Sequence, residues 1–345
     1  MKKTKTVFLV LFVVLMISMV LANSFGSAKI KLDDILYIIY NGVLDNESAL
    51  PEAYLPINDI IWLLRLPRII LAACIGCGLA VCGVVMQAIV KNPLADPYIL
   101  GISSGASLGA TAAILLGIGV ALGENFVGIA AFIGAFFVSL LVVFIANLGG
   151  RASSTKLILS GMALSAVCSA FASFIVYFAN NAEGMQNITY WLMGSLAGAK
   201  WELLEIIVPI SILSTLFFYT QSRILNLLLL GDETAITLGK DLHIYRQCYL
   251  LVSAIVVGFA VYAAGMIGFI GLIIPHAVRI LVGSDHKVLV PVSGLCGAIF
   301  LIWADVLCRI IIPRTELPIG ILISLIGAPC FVYLMIKKTY GFGGN

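Results

Sequence analysis

The feature of this sequence that most constrains its fold is a series of about ten apolar runs, each close to the length of a membrane span. A helix needs roughly 20 apolar residues to cross the hydrocarbon core of a bilayer. Such runs use most of the 345 residues and leave little chain for a water-soluble core. The runs lie at residues 7–24, 68–90, 98–116, 126–148, 157–179, 203–220, 248–264, 266–282, 288–308 and 319–336.

The composition agrees with one membrane domain. Hydrophobic residues make up 61% of the chain and charged residues 11%, whereas an ordinary globular protein has roughly 25% charged residues. We therefore expect an all-α, polytopic transmembrane helical bundle in contact with the lipid bilayer, with residues 1–345 as a single domain. The formal net charge of +3 is too small to indicate a nucleic-acid partner.

The distribution of basic residues predicts the orientation. An even number of spans places both termini on one side, and the connecting segments on that side carry most of the 20 Lys and Arg residues. Because Lys and Arg accumulate on the cytoplasmic side, we expect a multi-pass protein of the cytoplasmic membrane with both termini in the cytoplasm. The first apolar run also resembles a signal peptide, but the many later spans favour an uncleaved first span.

The longest connecting segment on the predicted inner side, residues 221–247, is too polar for a simple turn. Two glycines in it bracket a short helical stretch whose first turn carries two carboxylates, where the helix dipole favours negative charge. Its apolar residues predict one apolar face, which suits either docking to another protein or lying on the lipid surface. The candidate docking residues are Gly231, Asp232, Glu233, Ala235, Leu238 and Gly239.

No catalytic or metal-binding pattern is visible. His243, His276 and His286 lack metal-ligand spacing, and no phosphate-binding Gly-x-x-x-x-Gly-Lys-Ser/Thr loop occurs. We therefore expect no cofactor and no enzymatic activity in this chain. Charge inside the spans is sparse, with Asp305 the main candidate, which disfavours an ion-coupled carrier.

Small residues recur at three- or four-residue spacing within several spans. Such faces allow helix backbones to approach closely, and this packing role is the expected one for most of them. The pair Cys74 and Cys77 is interpreted in the same way. The two clearest faces are Gly76/Ala80/Gly83 and Gly101/Gly105/Gly109.

Several sequence blocks, in the same order along nearly the whole chain, resemble those of the FecCD-type permeases of ATP-binding-cassette (ABC) importers for iron–siderophores, haem and cobalamin. The resemblance implies a type II ABC importer permease with ten helices, which is not itself an enzyme. The blocks are Arg65-Leu-Pro-Arg68, Gly83–Ala88, Asn92–Gly109, Gly231–Gly239, Gly268–Arg279, Glu316–Ile321 and Gly327-Ala-Pro329.

The resemblance also implies partners and a mechanism. The expected assembly has two permease subunits, which are copies or paralogues, two cytoplasmic ATPase subunits that hydrolyse ATP, and an external substrate-binding protein. Alternating access would carry an iron chelate inward, with ferric siderophore preferred because it is the commonest cargo class of the family. A secondary carrier or channel without ATPase subunits is the alternative.

The resemblance assigns roles to three groups of residues. The Gly231–Gly239 block matches the family's coupling helix, which docks on the ATPase. Arg65, Arg68 and Arg309 match arginines that pair with carboxylates of the binding protein; anchoring at a helix end is the alternative. Candidates for the gate and pathway are Ser153, Ser154, Thr155, Ser160, Gly161 and Ser165, although serines in membrane helices also bond to their own backbone.

Overall fold

The computed structural model describes residues 2–26, 28–44, 51–123, 125–148 and 150–337. Within these ranges, helices joined by short connections account for the regular structure. The helices are α1 (Lys2–Ala22), α2 (Leu32–Val43), α3 (Leu55–Asp59), α4 (Leu66–Val90), α5 (Ile102–Leu116), α6 (Phe126–Asn147), α7 (Ser154–Ala179), α8 (Ala182–Leu192), α9 (Trp201–Thr220), α10 (Ser222–Leu230), α11 (Asp232–Thr237), α12 (Leu242–Ala264), α13 (Ile270–Val282), α14 (His286–Ile310) and α15 (Ile319–Lys337).

Each of the ten predicted spans corresponds to a helix, so the expected all-α membrane bundle is confirmed. Seven helical stretches of the described residues are long and apolar enough to cross a bilayer. The remaining three are shorter apolar helices, at Ile102–Leu116, Ile270–Val282 and Ile319–Tyr333.

Two predicted boundaries were wrong for identifiable reasons. The second span begins before Arg68, because α3 continues through a π-helical segment, Ile60–Arg65, into α4. The eighth begins at Ile270 rather than Met266, because the preceding Phe269 lies in the left-handed region with φ 64°.

Helix α8 was not predicted. Its start carries a capping signal, since the side chain of Asn181 accepts a hydrogen bond from the backbone N–H of Gly184. Asn is a favoured residue at this position because it satisfies an N–H that has no partner within the helix. Glu183 then lies in the first turn.

Helix α4 forms the centre of the bundle and α7 lies at its periphery. Over an apolar length of 18 residues, 78% of the residues are buried in the helical stretch that contains α4, but only 6% are buried in α7. Helix α4 packs against α14, α9, α13 and α12. A long apolar helix with so little burial must face lipid or another membrane protein.

The predicted small-residue faces lie at the closest helix crossings. A Cβ atom added to Gly76 of α4 would overlap the carbonyl oxygen of Gly297 in α14. At Gly105 of α5 the same addition would meet the carbonyl oxygen of Gly134 in α6. These glycines therefore serve close packing, as the spacing indicated.

The contacts between connecting segments define two ends of the bundle. At the α11 end, Arg151 pairs with Asp241 at 3.2 Å. At the opposite end, called the Arg68 end, Arg68 pairs with Glu316 at 2.8 Å. Because successive spans cross the membrane in opposite directions, every second loop is expected at the same end of the bundle. These two contacts agree with that expectation.

Candidate functional site

The short helix α11 is bounded by two glycines in the left-handed half of backbone space. Gly231 precedes it with φ 105°, and Gly239 follows it with φ 74°. Both values are open to glycine and strained for other residues. The backbone N–H of Gly239 closes the last turn by donating to the carbonyl of Ile236 at 2.9 Å. Asp232 and Glu233 occupy the first turn, where the sequence placed them.

The apolar residues of α11 do not share one face, which corrects the sequence-based expectation. Ala235 is fully buried in the core of this chain. Ile236 and Leu238 are instead 58% and 60% exposed. A partner protein could therefore touch these two side chains but not Ala235.

Arg246 of α12, which sequence reasoning missed, anchors α11. Its Nη2 lies 2.7 Å from Oδ1 of Asp232, and its Nη1 donates to the carbonyl of Ala152 at 3.2 Å. The side chain is buried, with 4% of its surface exposed. The available signal was a basic residue two positions before the predicted span at 248–264, close enough to the membrane for a charge to need a partner.

The beginning of α7, where three gate candidates lie, is tied to the end of α4. Ser153 caps α7 by accepting a hydrogen bond from the N–H of Lys156 at 3.3 Å. The hydroxyl of Ser154 donates to the carbonyl of Ile89 at 3.0 Å. Thr155 is exposed. This loop therefore lies at the α11 end, next to the link made by Arg246.

The other pathway candidates pack inside the chain. Ser160 and Gly161 are buried, and Ser165 is half-buried. A Cβ atom at Gly101 would lie 3.3 Å from the carbonyl oxygen of Gly161 and 3.4 Å from the hydroxyl of Ser165. Farther along this helix, the hydroxyl-bearing residues Ser169 and Ser173 are exposed. Ser160 and Gly161 thus lie in the interior of this chain, and their place along the pathway stays a prediction.

The three arginines expected to project outward instead bind groups of this chain. Arg65 is buried and donates to the backbone carbonyls of Asn23 and Ala28. These carbonyls follow the end of α1, where no helical N–H is available to them. Arg65 therefore fixes the segment after α1.

Arg68 and Arg309 share one buried carboxylate. Arg68 lies 2.8 Å from Oδ1 of Asp305, and Arg309 lies 3.2 Å from Oδ2. Arg68 also pairs with Glu316, whose side chain is half exposed. Because a buried carboxylate needs a counter-charge, Asp305 explains why both arginines turn inward.

A cavity of about 330 Å³ opens beside this charge cluster. Its lining includes Arg68, Asp305, Tyr190 of α8 and the segment before α15, which contains Glu316. Of the three predicted docking arginines, Arg68 is the one that borders this cavity.

A further polar link at the α11 end joins α10 to α14. The side-chain amide of Asn226 donates to Oδ1 of Asp285 at 2.9 Å, and its oxygen accepts from the N–H of His286 at 3.0 Å. The hydrogen bond from Asn226 lowers the pKa of Asp285, so this carboxylate is ionised at neutral pH. His286, expected in a loop, is the buried first residue of α14.

Comparison with known proteins extends these observations. The model of the FecCD transport family matches residues 13–337. The cobalamin import system permease protein BtuC of Halobacterium salinarum is 44% identical over 276 residues, which are 80% of this chain and 73% of that protein. The hemin transport system permease protein HmuU of Yersinia pestis is 41% identical over 293 residues, covering 81% of this chain and 85% of that protein.

The fold comparison covers almost the whole molecule. A solved structure described as an inward-facing metal-chelate type ABC transporter matches with a TM-score of 0.82 at 33% sequence identity. The match covers 97% of this chain and 100% of the other. Sequence motifs, fold and relatives agree, and the resemblance stated from the motifs is confirmed. The chain therefore belongs to the FecCD transport family.

Proposed function

We propose that this chain is the permease subunit of an ABC importer that moves a bulky metal chelate into the cytoplasm. It would act with a second permease subunit, two cytoplasmic ATPase subunits and an external binding protein. The relatives named above as import permeases support this role. The α11 end would face the cytoplasm, as the distribution of Lys and Arg predicts.

The observation that carries the proposal is the exposed apolar surface of α11. Ile236 and Leu238 project from a short helix whose base is held by the Asp232–Arg246 ion pair. Exposed apolar residues on a rigid, polar-rimmed support are typical of protein contacts. We propose that this surface, with Gly231, Glu233 and Gly239 shaping the helix, docks on an ATPase subunit.

Helix α7 is the proposed contact with the second permease subunit. It is long and apolar but hardly buried, and its exposed residues include Ser169 and Tyr177. A hydroxyl exposed to lipid is costly unless it bonds to the backbone of its own helix, so the exposed Ser169 supports a protein- or water-facing position for this part of α7. Thr155, at the same end as α11, remains a gate candidate on this surface.

Docking of the binding protein is proposed at the cavity beside Arg68. A carboxylate of that protein would compete with Glu316 for the Arg68 guanidinium, which suits bidentate pairing. Arg65 and Arg309 would support the site by fixing the segment after α1. This revises the expectation that all three arginines meet the partner directly.

The proposed cargo class is a metal chelate. The names of the two relatives, for cobalamin and hemin, support this class. Ferric siderophore remains the preferred cargo because it is the commonest cargo class of the family. Neither of the two relatives is named for it. Uptake assays with ferric siderophore, hemin and cobalamin, each with its cognate binding protein, would distinguish the three.

The docking proposal is tested by changing Leu238 to Glu. Placing a carboxylate in an apolar contact without a partner carries a desolvation cost of several kcal/mol, so ATPase binding to the purified permease should fall at least about tenfold. Leu122→Glu is the matched control, since Leu122 is similarly exposed in the loop between α5 and α6. Unchanged ATPase affinity in Leu238→Glu would contradict docking at α11.

A further inference from the structure

Three segments of the α11 end meet at one guanidinium group. Arg246 belongs to α12, its Nη2 contacts Asp232 at the start of α11, and its Nη1 donates to the carbonyl of Ala152. Ala152 stands two residues before the start of α7. One side chain thus connects the proposed docking helix to the beginning of α7.

Burial distinguishes this link from its neighbour. The Arg246 side chain is almost wholly enclosed, so water screens its attraction to Asp232 only in part. Arg151 and Asp241 join the segment before α7 to the segment after α11 at 3.2 Å, but the Arg151 side chain is 68% exposed and Asp241, like Asp232, is half exposed. Exposed pairs contribute little because water and salt weaken them. The Arg246 link should therefore carry most of the connection.

The beginning of α7 is also tied to α4, because Ser154 donates to the carbonyl of Ile89 at the end of α4. The later turns of α7 pack against α5 and α6, although α7 is the least buried of the long apolar helices among the described residues. A displacement passed to Ala152 therefore acts at the N-terminal end of this helix.

We infer that Arg246 is a positioning residue that makes α11 and the beginning of α7 move together. This inference rests on the proposed function, because the ATPase subunit would supply the displacement of α11. Arg246 is held by its hydrogen bond to the carbonyl of Ala152, which a side-chain substitution cannot remove. The Asp232 carboxylate can be removed by substitution. Without the Asp232 carboxylate, α11 still meets the ATPase through Ile236 and Leu238 but no longer moves α7.

The test uses the reconstituted complex of permease, ATPase and binding protein, with Asp232→Ala, Asp232→Glu and Arg151→Gln compared against the unaltered chain. Asp232 is half exposed, so its variants are suited to folded complexes, and thermal unfolding of each is checked. Three quantities are measured: ATPase binding, hydrolysis rate and cargo taken up per ATP. Spin labels at Thr237→Cys and Thr155→Cys, in a chain whose eight native cysteines are replaced, report whether the two helices move together when ATP binds.

We expect Asp232→Ala to lose less affinity for the ATPase than Leu238→Glu does, yet, at saturating ATPase, to take up about tenfold less cargo per ATP, a loss typical of a broken coupling between sites. The two labels should move apart on ATP binding in this variant alone. Asp232→Glu should restore most of the coupling, and Arg151→Gln should behave as the unaltered chain.

Normal uptake per ATP in Asp232→Ala, or labels that keep their separation, would overturn the inference while leaving the proposed function intact. If the unaltered permease failed to bind the ATPase at all, the proposed function would fail first, and the inference with it. The binding measurement separates these two outcomes.

Discussion

Gly83 of α4 shows how tightly the centre of the bundle is packed. A Cβ atom at this position would overlap the backbone carbonyl of Gly271 in α13, which cannot rotate away. We predict that Gly83→Ala lowers stability by about 1–3 kcal/mol, the usual cost of overpacking. Thermal unfolding in detergent measures the change. Gly198→Ala is the control because nothing lies within 4 Å of its added Cβ; equal effects of both changes would refute the packing account.

The carboxylates bound to Arg68 should differ widely in importance. Asp305 is buried between two arginines, whereas Glu316 is half exposed. Removing one partner of a buried ion pair costs about 3–5 kcal/mol, while an exposed pair contributes about 0–1 kcal/mol. Asp305→Asn should therefore destabilise the protein far more than Glu316→Gln. Similar unfolding temperatures of the two variants would show that the cluster is not organised around Asp305.

The same cluster shows what could not be predicted for single residues. The sequence placed Arg65, Arg68 and Arg309 near helix ends. Arg309 does lie in the last turn of α14, whereas Arg65 and Arg68 lie inside the continuous helix formed by α3, the π-helical segment and α4. The partners of Arg65 could not be predicted, because the carbonyls of Asn23 and Ala28 come from a segment some 40 positions away along the chain. Periodicity carries no information about such distant contacts, whereas it does identify the small-residue faces.

At the scale of helices, the junction of α10 and α14 predicts a pH dependence. The hydrogen bond from Asn226 lowers the pKa of Asp285, so the folded protein holds the ionised form more strongly than the unfolded chain. The resulting contribution to the free energy of unfolding is fully present above the unfolded pKa of about 3.9. It disappears as the pH falls through the lower pKa of the folded protein.

Thermal unfolding of the unaltered chain and of Asp285→Asn at several pH values tests the direction of this pH dependence. The variant should unfold at a lower temperature at pH 7, and the difference should shrink as the pH is lowered towards 3. Asp285 is exposed, so solvent keeps the effect small. A difference that stays constant between pH 7 and pH 3 would show that ionisation of Asp285 does not contribute.

Helices were predicted well where their apolar runs were long, and poorly where local backbone geometry ended them. The start of α13 depends on Phe269 in a left-handed conformation, which its side chain gives no reason to expect. Helix α11 was placed correctly because glycines bracket it. Its apolar residues divide between core and surface because α12 lies against it, a tertiary contact absent from the local pattern.

At the scale of the whole molecule, the predicted orientation in the membrane, with the α11 end in the cytoplasm, can be tested by thiol labelling. An engineered cysteine at Gly198 should react with a membrane-impermeant thiol reagent added to intact cells. One at Lys240, next to α11, should react only after the membrane is permeabilised. Both positions are exposed, and the native cysteines are replaced first. The reverse labelling pattern would place α11 outside the cell, where no ATPase could reach it.

Transport through this chain should depend on ATP hydrolysed by a partner subunit. The most direct measurement is uptake of labelled chelate into proteoliposomes that hold the permease with its ATPase, with loaded binding protein outside. We expect uptake to require ATP, the ATPase and the binding protein together, and we expect Leu238→Glu to abolish it. Uptake by the permease alone, driven by a substrate or ion gradient, would instead identify a secondary carrier or channel and rule out an ATP-driven importer.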